Sequence, residues 1–248
     1  MKEELANGQT ITFNIKRMKS FWSEEENADT FLKFMPPLKQ KLYKNVAEIL
    51  EANKVSSVLD FGCGNGNQLE FLKHDIEVGL YDINKVIASE TFSKYSKTKK
   101  VSLVNNVNEM KPNYYDAVVV NMVWMCLNGE KEVDDFFKQI KNVKQKDGII
   151  ILSITHPCFR DELFSYYHTS YTTSEKLFDY RLEGDSFEVV IKNEAHSVFT
   201  DYHYSLTYFF KKLREHDLNL IDFTELWDEE YNLTVNKRFT PYILTTIK

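Results

Sequence analysis

The residues with the clearest chemical purpose in this chain are Asp60, Gly62, Gly64 and Gly66, in the run Asp60-Phe61-Gly62-Cys63-Gly64-Asn65-Gly66. Glycines at that spacing let a backbone turn sharply and approach a ligand with no Cβ in the way. Several nucleotide-binding folds share such a turn, so the leading acid has to sort among them. Asp60 would repel a pyrophosphate, which argues against a dinucleotide, and suits a ligand with a cationic end. Asp82, at the end of the next predicted strand, can accept hydrogen bonds from ribose hydroxyls. Its plainer role would be to cap the helix that begins beyond Asn84. Two histidines also stand out. His156, in Thr-His-Pro-Cys-Phe-Arg, and His203, before a predicted helix, carry the side chain best suited to take a proton near neutral pH. Each is equally readable as a structural, hydrogen-bonded histidine. Arg160 can clamp a carboxylate through two parallel hydrogen bonds or form a surface ion pair.

The elements that must hold these residues follow from periodicity. Pro36-Pro37 precedes a helix over 36–54, with Leu38, Leu42, Val46, Ile49 and Leu50 at helical spacing. Short apolar runs at 56–62, 76–83, 101–104, 115–123 and 148–155 read as strands buried on both faces. Helices are expected after the glycine run (Leu69 and Leu72 on one face), over 84–95, and over 131–145, where Val133, Phe136, Phe137, Ile140 and Val143 form the stripe. This alternation means a parallel sheet covered on both faces, which binds ligands beyond the carboxyl ends of its strands. Residues 156–203 break the pattern: they are rich in aromatics, Tyr202 among them, with FEVVI (187–191) as one candidate strand. They form either a small satellite core or a cap over a binding pocket. A helix at 204–216 and strands at 218–226 and 238–247 complete the chain.

Composition narrows the class. With 31 basic and 37 acidic residues the formal net charge is −6, which argues against a long nucleic acid as partner. The basic run over Lys94–Lys100 reads as a solvated helix end. No apolar run approaches a bilayer span, and the N-terminus lacks a signal peptide's apolar stretch. Cys63, Cys126 and Cys158 have no metal-type spacing; no metal and no disulfide framework are expected, and a cytoplasmic location fits.

VLDFGCGNGNQLEFL (58–72), GLYDIN (79–84) and YYDAVVVNMV (114–123) resemble the class I S-adenosylmethionine-dependent methyltransferases, and the similarity covers roughly residues 36–155. The resemblance implies an α/β, Rossmann-like, doubly wound sheet of seven strands, mostly parallel with an antiparallel last strand, in a single domain spanning 1–248. It implies S-adenosylmethionine as cofactor, with Asp60 at its cationic end, Gly62, Cys63 and Gly64 lining its methionine part, Asp82 on the ribose and Ile83 on the adenine. Asn106-Val107 stands where many relatives carry Asp-Ala against the adenine amine and ring nitrogen. Asn121, at the end of the fourth strand, is a further candidate cofactor contact. Phe21-Trp22 resembles the aromatic lid of relatives, which makes 1–35 a lid segment and Trp22 a cofactor contact. TDYHYSLTYFFKKLREHDLNLIDFTEL (200–226) is similar to the branch acting on small molecules and natural-product peptides, with Tyr204 where that branch has arginine.

In such an enzyme His156 and His203 are the candidate catalytic residues, and Trp124, Arg160 and Tyr202 the candidate acceptor contacts, Trp124 being more readily read as core. The expected reaction is methylation of O or N on a small molecule or peptide under a cap formed by 156–203. The alternatives are a methyltransferase of a modified tRNA base and a non-catalytic cofactor-binding protein. The Asn/Asp-Pro-Pro-Tyr/Phe motif of enzymes that methylate planar nitrogens is absent after Asn121.

Overall fold

The computed structural model describes residues 2–4, 10–12, 37–106, 110–158, 163–164, 167–170, 179–191, 198–227, 240 and 242–248. Strands β1 (Lys2–Glu4) and β2 (Thr10–Thr12) pair antiparallel with each other. The rest of the segment expected as a lid, Trp22 included, lies outside the described residues. Helix α1 (Pro37–Ala52) is followed by β3 (Ser57–Phe61), β4 (Glu77–Tyr81), α2 (Lys85–Tyr95), β5 (Lys100–Leu103) and β6 (Tyr115–Asn121). Then come α3 (Gly129–Val143), β7 (Lys144–Thr155), β8 (Leu163–Phe164), β9 (Tyr167–Ser170), β10 (Asp185–Ile191) and β11 (Val198–His203). Helix α4 (Leu206–Glu215), β12 (Leu220–Leu226) and β13 (Tyr242–Ile247) close the chain.

Seven strands form the central sheet in the order β12-β13-β7-β6-β3-β4-β5. All its pairings are parallel except the two made by β13, as expected for the last strand. Strict alternation divides each inner strand between two cores. Val58, Ala117, Val119, Ile149 and Ile151 pack with Leu42, Val46 and Leu50 of α1. Leu59, Val118, Val120, Ile150 and Leu152 pack with Phe136, Phe137 and Ile140 of α3 and Phe209 and Leu213 of α4. Burial on both faces is why these strands read as continuous apolar runs. The chain builds outward through β3, β4 and β5, then returns to β6 on the other side of β3. Strand order therefore reverses between β3 and β6, which opens a crevice beyond their carboxyl ends.

Two local expectations change. The helix expected after the glycine run is a 3₁₀ turn, Asn67–Phe71. Residues 67–76 are all that separate Gly66 from β4, too few for a full helix and a connecting loop. Leu69 and Leu72 are nonetheless buried as that pattern required. The aromatic stretch contains an antiparallel sheet in the order β11-β10-β9-β8, with Phe187 opposite Asp201 and Asp185 opposite His203. Phe187 and Val189 of β10 pack into the same core cluster as Cys63 of the glycine run. The basic run behaves as a helix end: Lys94 lies in the last turn of α2 and Lys99 Nζ donates to the Leu72 carbonyl at 2.7 Å.

Candidate active site

The glycine run leaves β3 at the reversal point. Its first two amides, Gly62 N–H and Cys63 N–H, donate to the Tyr81 carbonyl at the end of β4, at 2.7 and 2.9 Å. Gly62 has φ +84°, and a Cβ there would come within 2.4 Å of Val123 Cγ2, so both backbone and space require glycine. Thr91 of α2 donates its hydroxyl to the Gly64 carbonyl at 2.6 Å and fixes the far side of the turn.

Asp82 ties this loop to the next. One carboxylate oxygen accepts from Gly64 N–H at 2.9 Å and the other from Asn84 N–H at 2.9 Å. Asn84 itself caps α2, accepting from Val86 and Ile87 amides. Asp82 is thus a brace between two loops rather than the helix cap. A carboxylate offers about four acceptor positions, so two remain for a ligand's hydroxyls. Burial raises the Asp82 pKa, against the two amide bonds that lower it.

Asp60 is 2 % exposed, and its Oδ2 has no hydrogen-bond partner. Burial, and secondarily the charge of Asp82, push its pKa up to about 7. A buried carboxylate oxygen without a donor is costly unless something cationic or hydrogen-bonding meets it. Tyr43 of α1 faces the same group: burial and the nearby Asp60 raise its phenol pKa, while a hydrogen bond with Asn67 lowers it. One turn earlier on that helix is Lys39, buried, with its ammonium pKa lowered to about 8 by desolvation. Burial, with Asp60 and Asp82 nearby, raises the Cys63 thiol pKa well above its ordinary value. Beside Asp82, Ile83 is 61 % and Val86 40 % exposed, an open apolar surface suited to a flat ring.

These features fit S-adenosylmethionine part by part. Its ammonium and sulfonium answer the unpaired Asp60 oxygen and the negative pair Asp60–Asp82. The glycine turn leaves room for its methionine chain, Asp82 keeps acceptor positions for its ribose, and Ile83 gives a face for its adenine. Asn106 is exposed just past β5, and Val107 lies outside the described residues. Asn121 has a supporting place. Its amide donates to Gln68 Oε1 at 3.1 Å, its oxygen accepts from Ser153 at 3.0 Å, and Gln68 donates in turn to the Tyr43 carbonyl at 3.0 Å. That chain of bonds locks β6, β7, the 3₁₀ turn and α1 together behind the glycine run.

The acceptor-side candidates separate more sharply. His156 is 4 % exposed; its Nδ1 accepts from Cys158 N–H at 3.1 Å and its Nε2 lies 3.2 Å from Glu225 Oε1. With Nδ1 accepting, Nε2 carries the proton and donates to Glu225, so both ring nitrogens have partners within the fold. His203 is fully buried, and its Nε2 donates to the Tyr180 carbonyl at 2.9 Å. Trp124, 3 % exposed, stands among Phe137, Tyr204, Tyr208 and Phe209 and is core, not pocket wall. Tyr202 is half-buried against that same core, and Arg160 lies outside the described residues. Tyr204, in the place of arginine, donates to the Leu127 carbonyl at 2.6 Å and accepts from Gly129 N–H at 2.9 Å.

Sequence reasoning passed over Tyr43, Gln68 and Lys39. A usable signal existed for two of them: Lys39 and Tyr43 are polar residues four apart on the face of α1 that also carries Leu42, Val46 and Leu50. Among the described residues, no group of three or more His, Cys, Asp or Glu side chains could hold a metal ion.

Residues 59–152 match the family of methyltransferase domains. No curated protein matches the sequence. Among solved structures, the fold is similar to an S-adenosylmethionine-dependent methyltransferase from Clostridium acetobutylicum, with TM-score 0.58 at 16% identity over 84% of this chain and 91% of that one. It is similar to one from Leishmania major, with TM-score 0.56 at 13% identity over 100% and 96%. It is also similar to the 1,6-didemethyltoxoflavin-N1-methyltransferase of Burkholderia thailandensis, bound to its substrate and S-adenosylhomocysteine, with TM-score 0.53 at 14% identity over 83% and 76%.

Proposed function

We propose that this protein is a class I S-adenosylmethionine-dependent methyltransferase that methylates a nitrogen or oxygen of a small molecule or peptide natural product with an apolar body. The observation that carries the proposal is the joining of two surfaces in one core. Cys63 of the cofactor loop and Phe187 and Val189 of the added sheet pack in a single cluster. That shared core supports reading the aromatic segment as a cap near the edge where the cofactor loop ends, and its apolar composition favours an apolar acceptor. The similar Burkholderia enzyme, an N1-methyltransferase bound to 1,6-didemethyltoxoflavin, supports the same substrate class.

Bound, S-adenosylmethionine supplies an electrophilic methyl carbon on a sulfonium. The protein's share is alignment and exclusion of water, since in-line displacement depends on the approach of the acceptor's lone pair. Asp60 and Asp82 hold the cationic and ribose parts, and Gly62 lets the backbone come close. The cap orders the acceptor, with residues 1–35 and Trp22 as a proposed cover over the cofactor, and Arg160 and Tyr202 as proposed acceptor contacts. In this reading His156 ties the end of β7 to Glu225 of β12, and His203 ties β11 to the Tyr180 carbonyl.

The test is S-adenosylhomocysteine production with aromatic metabolites and short peptides, followed by mass spectrometry of each product. A mass gain of one methyl group on a member of the panel is the expected result. Tight cofactor binding with no turnover on any member would instead favour a non-catalytic cofactor-binding protein.

A further inference from the structure

A relay of polar side chains crosses the interior behind the cofactor loop, from β7 to α1. Ser153 donates its hydroxyl to Asn121 Oδ1 at 3.0 Å, Asn121 Nδ2 donates to Gln68 Oε1 at 3.1 Å, and Gln68 Nε2 donates to the Tyr43 carbonyl at 3.0 Å. Ser153 and Gln68 are buried, and Asn121 is half-buried at the last position of β6, the register partner of Ser153 on β7. Beyond Asn121 the strand stops, because Met122 holds a left-handed backbone with φ +59°. The chain turns there, and Val123 Cγ2 comes to lie 2.4 Å from where a Cβ on Gly62 would stand. The end of β6 therefore meets the cofactor loop twice, at Gly62 through Val123 and at the 3₁₀ turn through Gln68. The far end of the relay is Tyr43, whose phenol faces Asp60 and bonds with Asn67 at the start of that same turn.

Each group in the relay donates to the next, so its bonds are all made in one orientation of the two amides. Such neutral bonds add little net stability, since each replaces a bond to water in the unfolded chain. What a linked set adds is geometry: one arrangement satisfies every member, and any other leaves a buried polar group unpaired. The short turn after Gly66 needs that hold, because five residues offer no ridges for helix-style packing. We infer that Gln68 and Ser153 are positioning residues for methyl transfer. Acting through Asn121, they hold α1 and the end of β6 in one register against the glycine turn, and so set the shape of the cofactor site from behind it. This rests on S-adenosylmethionine binding at the glycine turn.

The test is calorimetric titration of the full chain with S-adenosylhomocysteine, beside urea unfolding, for Ser153→Ala, Gln68→Met, the double variant and Thr245→Val. Thr245 is the matched control: it is buried in the same sheet, and its hydroxyl donates at 3.0 Å to the carbonyl of Leu152, next to Ser153 but outside the relay. Ser153→Ala should weaken binding at least about threefold and Gln68→Met at least about tenfold. The double variant should stay within about twofold of Gln68→Met, since one break already frees the relay. Thr245→Val should bind within about twofold of wild type while losing as much stability as Ser153→Ala. If Gln68→Met does not fold, the comparison of Ser153→Ala with Thr245→Val decides by itself. Wild-type affinity in Ser153→Ala, or equal weakening in Thr245→Val, overturns the positioning role and leaves the cofactor site standing. Failure of the wild-type protein to bind S-adenosylhomocysteine would overturn the cofactor site and the relay's role with it.

Discussion

Two aspartates on neighbouring strands show how differently the two ends of the sheet are used. At the amino end, Asp116 of β6 accepts from the Ser56 and Ser57 amides at 2.9 and 3.0 Å and from the Ser56 hydroxyl. The Ser57 hydroxyl in turn accepts from the Asp116 amide. Burial would raise its pKa, but these bonds outweigh it and hold the carboxyl below its ordinary value. At the carboxyl end, Asp60 of β3 is more deeply buried, has one oxygen with no donor, and is pushed up to about 7. The sheet has satisfied its acid at one end and left its acid waiting at the other. A carboxylate that stabilises the fold is surrounded by donors of the fold itself; one that serves a ligand is left with an unfilled position.

The largest effect should come from closing the space at the working end. Gly62→Val meets Val123 Cγ2 and demands φ +84° of a β-branched residue. Cofactor affinity should fall at least about 100-fold, about 3 kcal/mol, as read by calorimetry. Binding within a few-fold of wild type would break the assignment of this end as the cofactor site.

Next is the pH dependence set by Asp60. Its folded pKa is raised, from 3.8 to about 7. Stability is therefore full below the unfolded value and is lost as pH rises through the folded one. Ligand-free protein should lose on the order of 2–4 kcal/mol between about pH 4 and about pH 8 from this group. Asp60→Asn should flatten that slope in denaturant melts and weaken cofactor binding. A slope identical to wild type would mean Asp60 is satisfied after all.

The smallest effect belongs to the amino end and has the opposite sign. The depressed pKa of Asp116 contributes stability that is present above the unfolded value and lost as pH falls through the folded one. Asp116→Ala should cost about 1–2 kcal/mol at neutral pH, as for lost hydrogen bonds to a charged group, and leave cofactor affinity unchanged. A change in affinity as large as the change in stability would erase the contrast between the ends.

What was legible in the sequence follows the same division. The glycine run declares itself because the sharp turn, with φ +84° at Gly62, demands glycine at that place. The strands of the central sheet declare themselves through unbroken apolar runs. The helix after Gly66 did not survive because residues 67–76 must both turn and reach β4, a length constraint that side-chain pattern does not carry. The strands β8 to β11 were hidden because their ladder joins segments far apart in the chain, such as Val189 with Thr169. His156 and His203 stood out by type alone, and the sequence did not show that their partners would include Glu225, 69 residues away, and a backbone carbonyl at Tyr180.

The most direct test of the central claim is calorimetric titration of wild-type protein and Asp82→Ala with S-adenosylmethionine and S-adenosylhomocysteine. The account predicts micromolar binding of both by the wild-type protein and a loss of about 1–3 kcal/mol in the variant, as for a charged hydrogen bond removed. No binding of either ligand by the wild-type protein, or equal affinity in the variant, would contradict it.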